Sequence, residues 1–299
     1  MDEHPTLELA LSDGQSLDQY IIDEELGPKR LGTPIHVYRA HHRATQAAVA
    51  LKVLSLKFDR DHATQRALER FIREARVMRQ LCHPNILQVL AVNWDQHNYW
   101  IVMPYLAKGS LADFMQARQH QPLPIEQACT FGIQIAQALT CAHSQIPPII
   151  HRDINPRNLL LRDNCQLVLM DFGIAHVLHE PHFTQFDKAL GTPEYMAPEQ
   201  LRMRDDSGPE RIDPRVDIYA LGCVLYELLS GYPPFMGSSS LAVSLAQLRA
   251  EPQPLSAKNP QVNLGLQLIV HRALAKNPAE RYASAEEFRQ VLARYVARE

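Results

Sequence analysis

The stretch HRDINPRN, residues 151 to 158, sets an imidazole, two guanidinium groups, a carboxylate and two carboxamides into one short run. Three other positions stand out by type and setting. Lys52 closes the strand-like VALK, Glu74 lies on an otherwise apolar helical stripe, and Asp171 follows the apolar run LVLM. Between them they supply fixed cations, hard oxygen donors suited to a metal ion and a carboxylate able to accept a proton. Taken singly each has an ordinary explanation: a lysine in a strand is usually at the surface, a helical glutamate is often half of an ion pair, and Asp-x-Gly often starts a turn. Their meaning depends on the elements that would bring them together.

Those elements are legible from hydrophobic period. YII, IHVYRA and AVALKVL read as strands, broken by the Gly/Pro stretch LGPKRLGTP. In ALERFIREARVMRQL the residues Leu68, Phe71, Ile72, Ala75, Met78 and Leu81 recur at three- and four-residue spacings, which predicts an amphipathic helix with Glu74 on the same stripe. ILQVLAV and YWIVMPYL predict two further strands, and the chain then turns helical. GSLADFMQ opens on a cap at Ser110 with an acid at Asp113, and PIEQACTFGIQIAQALTCAH forms one long helix. VDIYALGCVLYELLSG is apolar almost all round, as a buried central helix is, and SAEEFRQVLARYV carries Ser284 and Glu287 at capping-box spacing.

Composition narrows the classes. With 46% hydrophobic and 21% charged residues the 299-residue chain is a soluble globular protein, and its net charge of -3 provides no broad basic field for nucleic acid and no cationic face for a membrane. Five scattered cysteines, with no C-x-x-C pair, suggest neither a disulfide framework nor a zinc site and fit a reducing, cytoplasmic setting. No apolar run approaches the roughly 20 residues that span a bilayer, and MDEHPTLELA is acidic where a secretory signal would be basic.

Taken in order, VALK, Glu74, HRDINPRN, DFG (171–173) and APE (197–199) resemble the signature set of eukaryotic-type (Hanks-type) Ser/Thr protein kinases, in their bacterial form. HPNI, GTPEYMAPE, DIYALG and NPAERY add to the likeness, which covers roughly residues 17 to 297. The resemblance implies an α+β, two-lobed protein-kinase-like fold. Residues 1–16 are then an N-terminal extension and 17–297 the kinase domain, with a β-rich N-lobe carrying one key helix over about 17–104 and a mainly helical C-lobe over about 105–297. It implies ATP and Mg2+ as cofactors, a protein Ser/Thr hydroxyl as acceptor, self-association for autophosphorylation, and no partner in nucleic acid or membrane.

It also implies roles. Phosphoryl transfer demands positioning and charge neutralisation more than covalent chemistry. Lys52 would hold the α- and β-phosphates, oriented by Glu74; Asn158 and Asp171 would hold the metal; Asp153 would accept the proton of the attacking hydroxyl. Gly32 and Lys52 would meet the phosphates, Val37, Ala50 and Leu160 would sandwich the adenine, Met103 would be the gatekeeper, and the backbone around Tyr105 and Leu106 would bond the base. His151 would pack beneath Phe172, Arg152 would offer a fork to a phosphorylated Thr184, Glu199 and Arg281 would form a bracing ion pair, and Asp217 would tie the buried helix to the catalytic loop.

The sequence departs from the pattern in four places. Counting back from Val37, Arg30, Gly32 and Ile35 occupy the three glycine positions of the phosphate loop, with Pro34 at its tip, which predicts a weaker grip on ATP. Asn155 stands where Ser/Thr kinases usually carry a lysine, and Arg157, two residues on, could bring a guanidinium to the same region. Pro104 replaces a hinge glutamate and His176 an arginine. A pseudokinase serving as a nucleotide-binding signalling scaffold is the alternative reading, although Lys52, Asp153, Asn158 and Asp171, whose loss usually marks such proteins, are all present.

Overall fold

Alternation decides the first sheet. In the strand Ala48–Ser55, Val49, Leu51 and Val53 point into one apolar cluster with Tyr38, Ala40, Trp100 and Val102, so Ala50 and Lys52 lie on the opposite face. The computed structural model describes residues 11, 13–27, 35–55, 62–172, 192–202 and 212–298. The chain divides into two units, Met1–Cys82 with Leu87–Tyr105, and His83–Ile86 with Leu106–Glu299.

The first unit is β-rich. Strands β1 (Ser16–Leu17), β2 (Tyr20–Leu26), β3 (Ile35–His42), β4 (Ala48–Ser55), β5 (Ala91–Trp94) and β6 (Asn98–Pro104) form one antiparallel sheet ordered β1-β2-β3-β4-β6-β5. The register sets Lys52 between Val37 and Ile101, and Ala50 between Arg39 and Met103. The helix α1 (His62–Gln80) buries Phe71, Ala75 and Met78, and Leu81 just beyond its end. The apolar stripe is narrower than expected, because Ile72 is 38% exposed on the flank of the helix. The expected strand over ILQVLAV is also shorter: only its last two residues enter β5. Its first residue, Ile86, bridges Leu169 instead, and the preceding Asn85 donates from Nδ2 to Leu167 O at 2.7 Å and accepts from Leu169 N at 2.8 Å, drawing His83–Ile86 into the second unit.

The second unit is mainly helical: α2 (Leu111–Ala117), α3 (Ile125–His143), α4 (Pro198–Leu201), α5 (Arg215–Ser230), α6 (Ser240–Arg249), α7 (Leu255–Lys258), α8 (Leu264–Ala273) and α9 (Ala285–Val296), with one small hairpin of β7 (Leu159–Leu161) and β8 (Leu167–Leu169). Helix α5 is its axis, with every residue from Val216 to Ser230 buried. α3 packs against α5 and α9. A glycine permits that approach, since a Cβ at Gly132 would stand 2.9 Å from Leu292 and 3.6 Å from Leu225. α5 ends at Gly231 in the left-handed conformation, φ 89°, where a side chain would strike His120 O. The caps separate two cases. Ser110 and Asp113 make the full reciprocal box at α2, whereas at α9 Ser284 accepts from Glu287 N but the Glu287 carboxylate turns to Ala283 N and Arg272. Among the described residues, no helix is long and apolar enough to cross a membrane.

Candidate active site

In the β-rich unit, β4 carries Lys52 on the face opposite its apolar cluster, and α1 brings Glu74 to it: Lys52 Nζ lies 2.6 Å from Glu74 Oε1, both side chains under a sixth exposed. Met103 is buried, while Val37, Ala50 and Tyr105 are half-buried, the last beneath the Arg39 guanidinium at 5.3 Å. Gly32, Pro34, Thr184 and His176 lie outside the described residues.

In the helical unit one carboxylate organises HRDINPRN. Asp217, wholly buried in the first turn of α5, accepts from His151 N at 2.8 Å, from Arg152 N at 2.7 Å and from His143 Nε2 at 2.8 Å. Burial by itself would raise this carboxyl; the hydrogen bond and charge of His143, the His151 charge and the Arg152 N–H outweigh it and hold the carboxyl below its ordinary value. The anchoring has a purpose, because Arg152 sits at φ 68°, a left-handed conformation that a residue with a Cβ adopts at a cost and keeps when its surroundings fix it. Gln200 Nε2 holds Arg152 from the other side through its carbonyl, at 3.0 Å. The His151 ring bonds Met170 O at 2.9 Å and tilts against Phe172 with centroids 4.9 Å apart.

Both carboxylate oxygens of Asp153 accept from carboxamides: Oδ1 from Asn155 Nδ2 and Oδ2 from Asn158 Nδ2, each at 2.8 Å. Asn155, expected only as a missing cation, is a buried brace. It also donates to Asp153 O at 3.1 Å and caps the 3-10 turn Pro156–Asn158 by accepting from Arg157 N at 3.0 Å. The Arg157 residue itself is exposed. Asn158 spends its amide hydrogens on Asp153, to Oδ2 and to the carbonyl at 2.8 Å, which leaves its Oδ1 as the hard donor. Met170 N donates to Asn158 O at 3.0 Å, so Asp171 follows directly on a backbone link to Asn158. Leu160, on β7, is half-buried opposite Val168, and Leu106 is half-buried.

Residues 20–293 match the protein kinase domain family. The chain belongs to that family. As a kinase domain it is 35% identical over 93% of its length to the serine/threonine-protein kinase PknB of Mycobacterium leprae, and 34% identical over 86% to the serine/threonine-protein kinase PrkC of Bacillus subtilis. A probable serine/threonine-protein kinase of Streptomyces coelicolor is 38% identical over 89% of the chain. The chain spans 38% to 43% of the length of these relatives. The crystal structure of the Mycobacterium tuberculosis PknI kinase domain superposes with a TM-score of 0.68 at 30% identity, covering 95% of this chain and 98% of that one.

In the helical unit of the kinase domain the expected Arg281–Glu199 ion pair forms, and beside it stands a buried Tyr195–Glu227 pair that the sequence pattern did not single out. Arg281, fully buried, forks onto Glu199 at 2.6 and 2.7 Å and reaches Ala275 O at 2.8 Å and Arg215 O at 3.1 Å. The Tyr195 hydroxyl donates to Glu227 Oε2 at 2.5 Å, and burial raises the Glu227 carboxyl to about 7. A single glutamate inside YELLSG, a segment apolar all round, was the signal for such a partner.

Proposed function

We propose that the chain is an ATP- and magnesium-dependent serine/threonine protein kinase that transfers the γ-phosphoryl group to a protein hydroxyl, its own activation segment included. The observation that carries this reading is the Asp153 carboxylate, held at both oxygens by Asn155 and Asn158 and anchored through its loop to buried Asp217. A group fixed in this way has little freedom to lose when it accepts the proton of an incoming hydroxyl.

The remaining roles follow from the same chemistry. Lys52, oriented by Glu74, clamps the α- and β-phosphates. Asn158 Oδ1 and Asp171 are the oxygens that fit magnesium, which when bound neutralises charge on the phosphates. Arg157 and Gly32 serve the phosphate end of the nucleotide; Val37, Ala50, Met103, Tyr105, Leu106 and Leu160 serve the base. The cysteines Cys82, Cys129, Cys141, Cys165 and Cys223 are free, which fits work in a reducing cytoplasm. No observation favours a silent scaffold, since each charged group that the transfer needs is present.

Incubation with γ-labelled ATP and magnesium, alone and with a generic basic protein, tests the reading. Label on serine and threonine is the expected result; nucleotide binding with no transfer to either acceptor overturns it.

A further inference from the structure

The 3-10 turn Pro193–Tyr195 lies in the GTPEYMAPEQ segment and receives no side-chain cap from Thr192, the residue that precedes it. Two of its carbonyls are met by one amide from far along the chain. Gln247, in α6 and fully buried, donates from Nε2 to Glu194 O at 2.6 Å and to Pro193 O at 3.1 Å. The amide is oriented in turn: its Oε1 accepts from the buried Tyr219 hydroxyl, and the Gln247 backbone carbonyl accepts from Lys276 Nζ at 2.7 Å. Lys276 sits 3.9 Å from the Phe235 ring centroid and 3.4 Å from the Tyr219 hydroxyl.

A carboxamide has two donor hydrogens and one acceptor oxygen, and here the donor nitrogen faces two successive carbonyls while the oxygen faces Tyr219. The backbone of helix α6 gains nothing from the side-chain bonds of Gln247. A site that only required filling would favour an apolar residue of the same volume, since a buried amide is costly unless every polar atom is met. What Gln247 specifies is the direction of the Pro193 and Glu194 carbonyls. Tyr195 is fixed independently, by its bond to Glu227.

We infer that Gln247 is a positioning residue for the protein substrate, acting through the turn Pro193–Tyr195 to set the backbone surface on which the acceptor segment docks. This rests on the kinase reading above and on the resemblance of GTPEYMAPEQ to a peptide-docking segment.

Steady-state transfer by the full chain to a peptide that it phosphorylates tests the inference, with Gln247→Met, which keeps the volume and loses both donors, and Gln247→Glu, which keeps the oxygens. For Gln247→Met, KM for the peptide rises about tenfold while KM for ATP stays within about twofold. For Gln247→Glu, the ionised carboxylate opposes two carbonyls whereas the protonated form donates one bond, so the ratio of its peptide KM to that of the unsubstituted chain falls as pH is lowered. A structural role alone would move neither the ratio nor the split between the two KM values. Unchanged peptide KM in both variants, or an equal rise in KM for ATP, overturns the inference. Should Gln247→Met fail to fold, the pH profile of Gln247→Glu decides alone. A chain that transfers phosphate to no peptide overturns the kinase reading and the inference with it.

Discussion

Removing one end of the buried Arg281–Glu199 pair should be among the most damaging single changes in the helical unit. The Arg281 side chain is 0% exposed and that of Glu199 11%. Its guanidinium bonds both Glu199 oxygens and the carbonyls of Ala275, Arg215 and Lys276, and lies 4.8 Å from the Tyr219 ring centroid. Arg281→Met fills much of the volume but strands a nearly buried carboxylate and leaves three carbonyls without that donor. Breaking such a pair costs about 3–5 kcal/mol. With a urea dependence of about 3 kcal/mol per molar, a loss of about 4 kcal/mol moves the midpoint down by about 1.3 M. Far-ultraviolet circular dichroism reports mainly the helical unit and is the appropriate probe. Adding Glu199→Gln removes the stranded charge, so the double variant should recover about 1–2 kcal/mol relative to Arg281→Met alone. A midpoint for Arg281→Met within about 0.3 M of the unsubstituted chain, or a double variant that is simply additive, would refute the argument that an uncompensated buried charge sets the cost.

Glu227 makes stability depend on pH. Its folded pKa of about 7 stands above its ordinary 4.5, so the folded state binds the extra proton; its contribution is present below about pH 4.5 and is lost as pH rises to about 7. Glu227→Gln should flatten that slope in melts between pH 5 and 8 and raise stability at the alkaline end by roughly 2–3 kcal/mol, and an unaltered slope would exclude Glu227 as its source. Asp217→Asn turns an amide hydrogen or a weaker acceptor toward the Arg152 and His151 N–H groups. It should lower kcat about tenfold to a hundredfold with little change in KM for ATP, measured in steady-state transfer. Asn155→Ala frees Asp153 Oδ1 and removes the cap of the Pro156–Asn158 turn, so kcat should fall about tenfold and the fold lose about 1 kcal/mol, checked by the same assay and by a urea titration.

How far the sequence could be read depended on the range of the forces involved. Period revealed α3, whose buried residues recur three and four apart, and composition revealed α5, because a helix buried all round must be apolar all round; the Ser110–Asp113 box at α2 is a local pattern with a local partner. Ile72 fits the same period yet lies exposed, since three- and four-residue spacing marks a face without fixing how much of it a neighbour covers. ILQVLAV has strand-like residues throughout, but its start, with the preceding Asn85, is claimed by Leu167 and Leu169, some 82 positions on, which no local pattern encodes. The site residues were legible as an ordered set of types. Their bracing was not: Asn155 looked like a lost cation because its hydrogen bond to Asp153 becomes visible only once the loop is folded around Asp217. Gln247 sits in a helix with no motif at all, and its role comes entirely from carbonyls that the fold brings to it.

On the proposed reading, Asp153 is the group that takes the proton of the acceptor hydroxyl. The most direct measurement compares initial rates of labelled phosphate transfer by the unsubstituted chain and by Asp153→Asn, at saturating ATP and magnesium, with circular dichroism showing both folded. A positioned acid–base group contributes roughly 10²–10⁴-fold, so the variant should retain no more than about one hundredth of the rate with KM for ATP unchanged. Retention of more than about a tenth of the rate would contradict the assignment of the general base, and with it the central claim.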